Sequence, residues 1–218
     1  MRSLTEEETK TLFTKIANYT GSSLSQLVAP TTGDGPNGEG ERMVFRIQKD
    51  RVFYMPLKLA NLAVSIPRAS LLSVGTMIGK FTKTGKFRLA LTSLDVIAPH
   101  ARYRLWIKPN GEMPFLYGSN VVRAHIARWS EDAPEHSGCI VYSMDDTPLG
   151  FGVTARSTAE IRKLDPTAIA LFRQADVGGY PFHHLKEHHL NGKLEFMESL
   201  DVNTKVILHF GVGFLCIK

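Results

Sequence analysis

Residues 101–108 read ARYRLWIK, and their side chains alternate in character along the whole stretch. The odd-numbered positions are apolar: Ala101, Tyr103, Leu105 and Ile107. The even-numbered positions carry cations or an indole: Arg102, Arg104, Trp106 and Lys108. Because successive side chains of a β-strand point to opposite faces, the pattern predicts a strand with one buried face. The other face is predicted to be cationic and to expose the indole of Trp106.

Further short strands are predicted on the C-terminal side of this stretch. Two apolar runs, at 138–143 and 149–154, flank the turn-forming sequence DDTP. Ser157 and Glu160 have the spacing of a capping box and predict a short helix. Several short strands with little helix are typical of a small barrel, which we expect over residues 96–180.

The first 95 residues mix helices and strands. The sequence TEEE at 5–8 has capping-box spacing and predicts a helix that ends at Gly21. Apolar runs at 43–47 and 51–55 predict a hairpin. Four glycines and two prolines in residues 29–41 predict a mobile loop. Without βαβ regularity, these elements predict an α+β domain with an antiparallel sheet.

The net charge is +5, and the whole surplus falls in the first 95 residues. Residues 79–88, GKFTKTGKFR, hold four cations and two phenylalanines but no acid. Cations interleaved with aromatic faces suit a polyanion whose bases can stack, such as RNA. The same residues also fit a solvated hairpin whose phenylalanines are buried. Both interpretations stay open.

Motifs for catalysis or cofactor binding are missing from the sequence. Residues 75–80, GTMIGK, have three residues between the glycines where a phosphate loop needs four. No G-x-S-x-G elbow and no G-x-G-x-x-G loop is present. The HHLKEHH cluster at 183–189 would place His184 and His188 on one helical face, yet no second ligand pair accompanies it. We therefore predict no enzymatic activity, no cofactor and no functional metal site.

The cysteines and the apolar segments indicate an intracellular, soluble protein. Cys139 and Cys216 cannot form a disulfide framework, and Cys139 lies in an apolar run that predicts a buried thiol. The longest apolar stretch, residues 206–217, is too short to span a bilayer. We expect neither a signal peptide nor membrane contact.

Several motifs together resemble a known family. They are WIKP at 106–109, FLYG at 115–118, PLGFG at 148–152, GKFTKTGKFRL at 79–89 and the RK-LDP-AI-F-QAD pattern at 162–176. The first three resemble a PUA domain, which is an RNA-binding β-barrel. With the other two, the chain resembles the Nip-seven family of large-ribosomal-subunit assembly factors. The resemblance runs from residue 1 to about residue 180, except for the loop at 29–41.

This resemblance implies a domain order and a cellular role. It implies a sandwich-like α+β domain at 1–95, a PUA mixed β-barrel at 96–180, and an extension of unknown structure at 181–218. It also implies non-catalytic work in pre-rRNA processing and 60S subunit assembly, in the nucleus and nucleolus and also in the cytoplasm. One departure is Ala124-His125, where family members usually have a Ser-Gly pair.

The main hypothesis is that cations neutralise phosphates while aromatic faces stack bases of single-stranded, uridine-rich pre-rRNA. Base stacking is assigned to Trp106 and Tyr117. Phosphate contacts are assigned to Lys80, Lys83, Lys86, Arg88, Arg104, Lys108, Arg123, Arg162 and Lys163. We expect the protein to act as a monomer inside a pre-ribosomal particle, beside other pre-60S assembly factors.

Two rival hypotheses come from other classes of protein. The first is a protein–protein adaptor with little RNA affinity, which the balanced charge of residues 96–180 favours. The second is an RNA-modifying enzyme, because PUA domains often accompany such enzymes. That enzyme needs a catalytic aspartate in the first 95 residues, and Asp34, Asp50 and Asp95 lie in no recognisable catalytic setting.

Overall fold

The structure is a computed structural model that describes residues 1–28, 42–66, 71–179, 207–210 and 213–217. The predicted loop at 29–41 and the histidine cluster at 183–189 lie outside the described residues. The chain forms two compact units. The first contains Met1–Lys15, Leu24–Ser93 and the strands after residue 206. The second contains Ile16–Ser23 and residues 94–179.

The first unit contains a four-stranded antiparallel sheet in the order β1-β2-β4-β5. Its elements are α1 (Glu6–Thr20, which continues into the second unit), α2 (Leu24–Val28), β1 (Met43–Gln48), β2 (Arg51–Pro56), α3 (Leu57–Val64), β3 (Leu71–Val74), β4 (Thr76–Phe81) and β5 (Phe87–Leu89). The predicted capping box is confirmed, since the Glu8 amide donates to Thr5 Oγ1 at 3.3 Å and the Thr5 amide donates to Glu8 Oε2 at 2.9 Å. The predicted β1–β2 hairpin is confirmed as well, with Lys49 at φ 53° in its turn.

A second, three-stranded sheet pairs β3 with the C-terminal apolar stretch. Two further strands, Ile207–Phe210 and Gly213–Ile217, form a hairpin, and the second of them pairs antiparallel with β3. The sequence pattern predicts β3 but does not indicate its partner, because the two segments are separated by more than 130 residues. Among the described helices, none is long and apolar enough to cross a bilayer.

The second unit is a mixed β-barrel with two edge strands. Its elements are α4 (Leu94–Ile97), β6 (Arg104–Ile107), α5 (Pro109–Leu116), β7 (Val121–Val122), β8 (Ile126–Trp129), β9 (Gly138–Tyr142), β10 (Pro148–Thr154), α6 (Thr158–Ile161) and β11 (Ile169–Asp176). The strand order is β7-β11-β10-β9-β6-β8, and only the β6–β9 pair within this sheet is parallel. The predicted α+β fold with a mixed barrel is therefore confirmed.

The core of the barrel follows the alternation of residues 101–108. Tyr103, Leu105 and Ile107 are buried and pack with side chains such as Phe115 and Leu171. Each fully buried side chain of this size stabilises the fold by about 1.5–3 kcal/mol. The prediction of a buried thiol at Cys139 is confirmed, and its burial raises the pKa of the thiol so that it stays protonated.

Candidate nucleic-acid interface

A groove of about 640 Å³ lies beside β8, an edge strand of the barrel. The other edge strand, β7, is joined to β8 by a single 3₁₀ turn, Arg123–His125. The groove is lined by Lys108, Arg123, Ala124, Ile126, Ala127, Arg128, Trp129, Ile161, Arg162 and Pro166. Four of these ten residues are cationic and none is acidic. A groove with this charge attracts anions.

Hydrogen bonds hold three of the groove cations in place. Lys108 Nζ donates to the Ala124 carbonyl at 3.2 Å, and Arg123 Nη1 donates to the Leu164 carbonyl at 2.5 Å. Arg162 Nη2 forms an exposed ion pair with Asp132 Oδ1 at 3.0 Å. Since two of these partners are neutral carbonyls, Lys108 and Arg123 keep their full charge for a ligand.

Backbone contacts fix the turn that supplies Arg123. The Arg123 amide donates to the Ala168 carbonyl and the Ala124 amide donates to the Pro166 carbonyl, both at 2.9 Å. His125, which the sequence resemblance marks as a departure from the family pattern, belongs to this turn and sits directly over Gly111 in α5. A Cβ placed on Gly111 would lie only 2.6 Å from His125 Cβ, so the larger residue fits only because position 111 is glycine.

The structure adds Arg128, which was not among the predicted site residues. Its guanidinium carbon lies 4.0 Å from the centre of the Trp106 ring, and it pairs with Asp146 at 3.5 Å. Arg128 belongs to β8, which has only four residues. Alternation of apolar and polar side chains over so short a segment does not identify a strand. Its pairing with β6, and not its sequence context, brings Arg128 next to Trp106.

The prediction of an exposed indole at Trp106 is wrong. Trp106 is only 9% exposed, because β8 and β9 flank β6 and their side chains cover the ring. The Tyr142 ring stacks against it with centroids 5.7 Å apart, and Arg128 lies over it. Trp106 Nε1 donates to Asp146 Oδ1 at 2.5 Å. A base cannot reach the indole face while Arg128 covers it.

Three other predicted residues of this unit do not line the groove. Arg104 donates to the carbonyls of Pro99 at 3.1 Å and Ala101 at 3.4 Å, so its guanidinium points to that loop. Lys163 is exposed beyond the end of α6. Tyr117 is 80% exposed just after α5. The structure therefore brings together Lys108, Arg123 and Arg162, but not these three.

The remaining predicted cations lie in the first unit, on the β4–β5 hairpin. Lys80 and Arg88 are directly opposite each other on the two strands, and Lys83 and Lys86 belong to the connecting turn. Thr82 closes this turn: its Oγ1 donates to the Lys86 carbonyl at 3.0 Å and accepts from the Lys86 amide at 3.2 Å. All four cations are exposed.

The phenylalanines of the hairpin do not serve as stacking faces. Phe87 is buried, Phe81 is half-buried, and their ring centroids lie 5.0 Å apart. The interpretation as a solvated hairpin with packed phenylalanines is therefore correct for the aromatic residues. It leaves the cations available to bind an anion.

Within the part of the chain that the structure describes, no group of three or more His, Cys, Asp or Glu side chains could hold a metal ion. The described portion of the groove offers cations and carbonyls, which bind anions and hydrogen-bond donors. Its chemistry therefore suits an anionic ligand.

Comparison with known proteins agrees with both units. A family model described as "NIP7/UPF0113, pre-PUA domain" matches residues 1–91, and one described as "UPF0113 PUA domain" matches residues 103–180. The 60S ribosome subunit biogenesis protein NIP7 of Saccharomyces cerevisiae is 56% identical over 180 residues, which is 83% of this chain and 95% of that protein. Its namesake from Schizosaccharomyces pombe is 54% identical, over 83% of this chain and 96% of that protein.

Solved structures share the fold at low sequence identity. A PUA domain from Aeropyrum pernix K1 superposes with a TM-score of 0.52 at 12% identity, over 85% of this chain and 90% of that one. A conserved PUA domain protein from Thermoplasma acidophilum gives a TM-score of 0.50 at 14% identity, over 84% of this chain and 97% of that one. The predicted PUA domain and the predicted family are confirmed.

Proposed function

The chain belongs to the NIP7/UPF0113 family, and from this we propose that it is a non-catalytic RNA-binding factor for pre-rRNA processing and 60S subunit assembly. The relatives from both yeasts are named 60S ribosome subunit biogenesis proteins. This proposed role implies that the protein acts in the nucleus and nucleolus. Its partners are pre-rRNA and the proteins of those particles.

The observation that carries this proposal is the cationic groove beside β8. Four cations and no acid line it, and Arg123 is fixed by a hydrogen bond from its side chain to a carbonyl. Phosphates supply most of the binding energy of a sequence-tolerant RNA-binding protein, and they do so through such cations. Single-stranded RNA fits better than a duplex, because its bases can turn toward side chains near the groove.

Residues outside the groove extend the proposed interface. Lys80, Lys83, Lys86 and Arg88 form a second cationic surface on the hairpin of the first unit. Such a surface raises the encounter rate with RNA and adds phosphate contacts that salt screens. Arg104, Lys163 and Tyr117 are proposed as peripheral contacts of the second unit.

A titration of RNA binding against salt tests the proposal. Binding of a fluorescein-labelled, uridine-rich single strand to the full chain is followed by anisotropy at several salt concentrations. If the four groove cations each neutralise one phosphate, log K falls against log salt with a slope of about −3, at about −0.7 per contact. An affinity that barely changes between low and moderate salt would exclude phosphate contacts as the basis of binding.

A second candidate function is a protein–protein adaptor, and one observation favours it. Met113 in α5 is 56% exposed, and Tyr117, the residue that caps the end of α5, is 80% exposed. The Tyr117 amide donates to the Met113 carbonyl at 3.0 Å, so the two residues are neighbours on one side of the helix end. Exposed large apolar side chains that are neighbours on a helix suit a protein partner. Met113→Ser would weaken capture of pre-60S proteins and leave binding of the uridine-rich strand unchanged if this side of α5 docks a protein.

A further inference from the structure

Three side chains form a layered row across the sheet of the second unit. Trp106 in β6 is directly opposite Arg128 in β8 and directly opposite Tyr142 in β9. Directly opposite residues point to the same face of a sheet. The row therefore runs in the order Arg128, Trp106, Tyr142, with the guanidinium carbon 4.0 Å from the indole centroid.

One carboxylate holds two neighbouring members of this row, Arg128 and Trp106. Asp146 Oδ1 accepts a hydrogen bond from Trp106 Nε1 at 2.5 Å and one from Arg128 Nη2 at 3.5 Å. Asp146 lies in the tight turn between β9 and β10, where its own φ is 60°. The guanidinium is thus oriented by the ring beneath it and by the carboxylate beside it.

Arg128 stays accessible to a ligand although it covers the indole. Trp106 is only 9% exposed, whereas the Arg128 side chain is 57% exposed and lines the groove. Arg128 therefore covers the indole with one face and leaves the other face accessible. A planar cation held in this way presents a flat surface on which a nucleobase can stack.

We propose that Arg128 is a stacking platform for one RNA base, with Trp106 supporting it from below. The base lies on the accessible face of the guanidinium. The phosphates of the RNA backbone on either side of this base reach neighbouring cations such as Lys108 and Arg162. This inference rests on the proposed RNA-binding function. It identifies Arg128 as a residue that contacts a base, whereas the other groove cations contact phosphates. It replaces the direct stacking on Trp106 that the sequence pattern suggests.

The proposal separates the shape of Arg128 from its charge. A lysine at position 128 keeps the positive charge but has no planar group to stack on a base. Arg162 is the matched control, because it lines the same groove and no aromatic ring lies beneath it among the described residues. Arg162 is held by Asp132 as Arg128 is held by Asp146.

The experiment measures the full chain against two labelled probes. One probe is a uridine 12-mer, and the other is an abasic 12-mer with the same phosphates but no bases. Arg128→Lys is expected to weaken binding of the uridine 12-mer by about fivefold or more, the amount expected for one lost base stack. Binding of the abasic 12-mer should change less than about twofold, and Arg162→Lys should change the binding of the two probes by the same factor.

The outcomes test the stacking role of Arg128 separately from the RNA-binding function. Equal weakening of both probes by Arg128→Lys, or no weakening of either, would overturn the stacking role and leave the RNA-binding function standing. Failure of the wild-type chain to bind the uridine 12-mer would overturn the function itself. Thermal unfolding of each variant checks its fold.

Asp146→Asn, which loosens Arg128 without removing it, is a second test. This variant should weaken binding of the base-bearing probe only.

Discussion

The β4–β5 hairpin and the groove beside β8 both concentrate positive charge, but they hold it differently. On the hairpin, Lys80 and Arg88 face each other, and none of its four cations forms an ion pair with another described residue. In the groove, every cation has a partner: the Ala124 carbonyl, the Leu164 carbonyl, Asp146 or Asp132. The groove cations are therefore positioned before a ligand arrives.

This difference has an energetic consequence for binding. Ordering a long cationic side chain costs up to about 2 kcal/mol of conformational entropy. The groove cations lose part of this entropy when the protein folds, whereas the hairpin cations lose it only when an anion binds. Like charges on opposite residues also oppose each other by a few tenths of a kcal/mol, which solvent screening makes tolerable on an exposed hairpin. We therefore infer that the groove fixes the RNA and the hairpin attracts it.

The largest effect is expected from a methyl group added at Gly111, against the turn that carries Arg123. Gly111→Ala would place a Cβ 2.6 Å from His125 Cβ and push the turn that carries Arg123. We expect a loss of about 2 kcal/mol in the free energy of unfolding, measured by urea denaturation, which is typical of overpacking.

Two companion variants sharpen this comparison. Gly85→Ala in the hairpin meets no atom within 4 Å, and only its φ of 75° opposes the change, so it should cost about 1 kcal/mol. Adding His125→Gly to Gly111→Ala should restore most of the lost stability. If the double variant is as unstable as the single one, His125 is not the residue that limits position 111.

A smaller effect is expected from reversing one charge of the groove. Arg162→Glu should weaken binding of a uridine-rich strand by about tenfold, or about 1.4 kcal/mol, because a phosphate contact becomes a repulsion. Arg156→Glu is the matched control: Arg156 is also an exposed arginine beside α6 with a carboxylate partner, Glu160 at 3.9 Å, but it does not line the groove. Equal weakening by both variants would mean that only net charge matters.

The smallest effect is expected from the hairpin turn. Replacing Lys83 and Lys86 with alanine should weaken RNA binding by roughly threefold at low salt, with a smaller effect at moderate salt. The anisotropy titration that serves for Arg162→Glu measures it. A loss greater than that of Arg162→Glu would reverse the ranking of the two surfaces.

Local patterns predict much of this fold because they act over a few residues. Alternation at 101–108 identifies β6 and its buried face, and the capping box at Thr5 identifies the start of α1. The partner of β3 could not be predicted in this way, because its pairing joins segments far apart in the chain. Strand pairing over long separations depends on the whole fold and not on local propensity.

The same limit applies to the candidate site. Lys108, Arg123 and Arg162 were predicted as cations near recognisable motifs, and the structure gathers them in one groove. Exposure of Trp106 was predicted wrongly because alternation tells which face a side chain points to, but not what the neighbouring strands place over it. Arg128 was missed for the same reason, since β8 pairs it with Trp106.

Crosslinking tests most directly whether the groove, and not the hairpin, holds the RNA. A uridine-rich strand carrying 4-thiouridine is irradiated with the full chain, and the joined residues are identified by mass spectrometry. We expect the crosslinks to concentrate in the segments 123–129 and 161–166, which supply nine of the ten residues that line the groove. Crosslinks confined to residues 79–88, with none in the groove, would contradict this account.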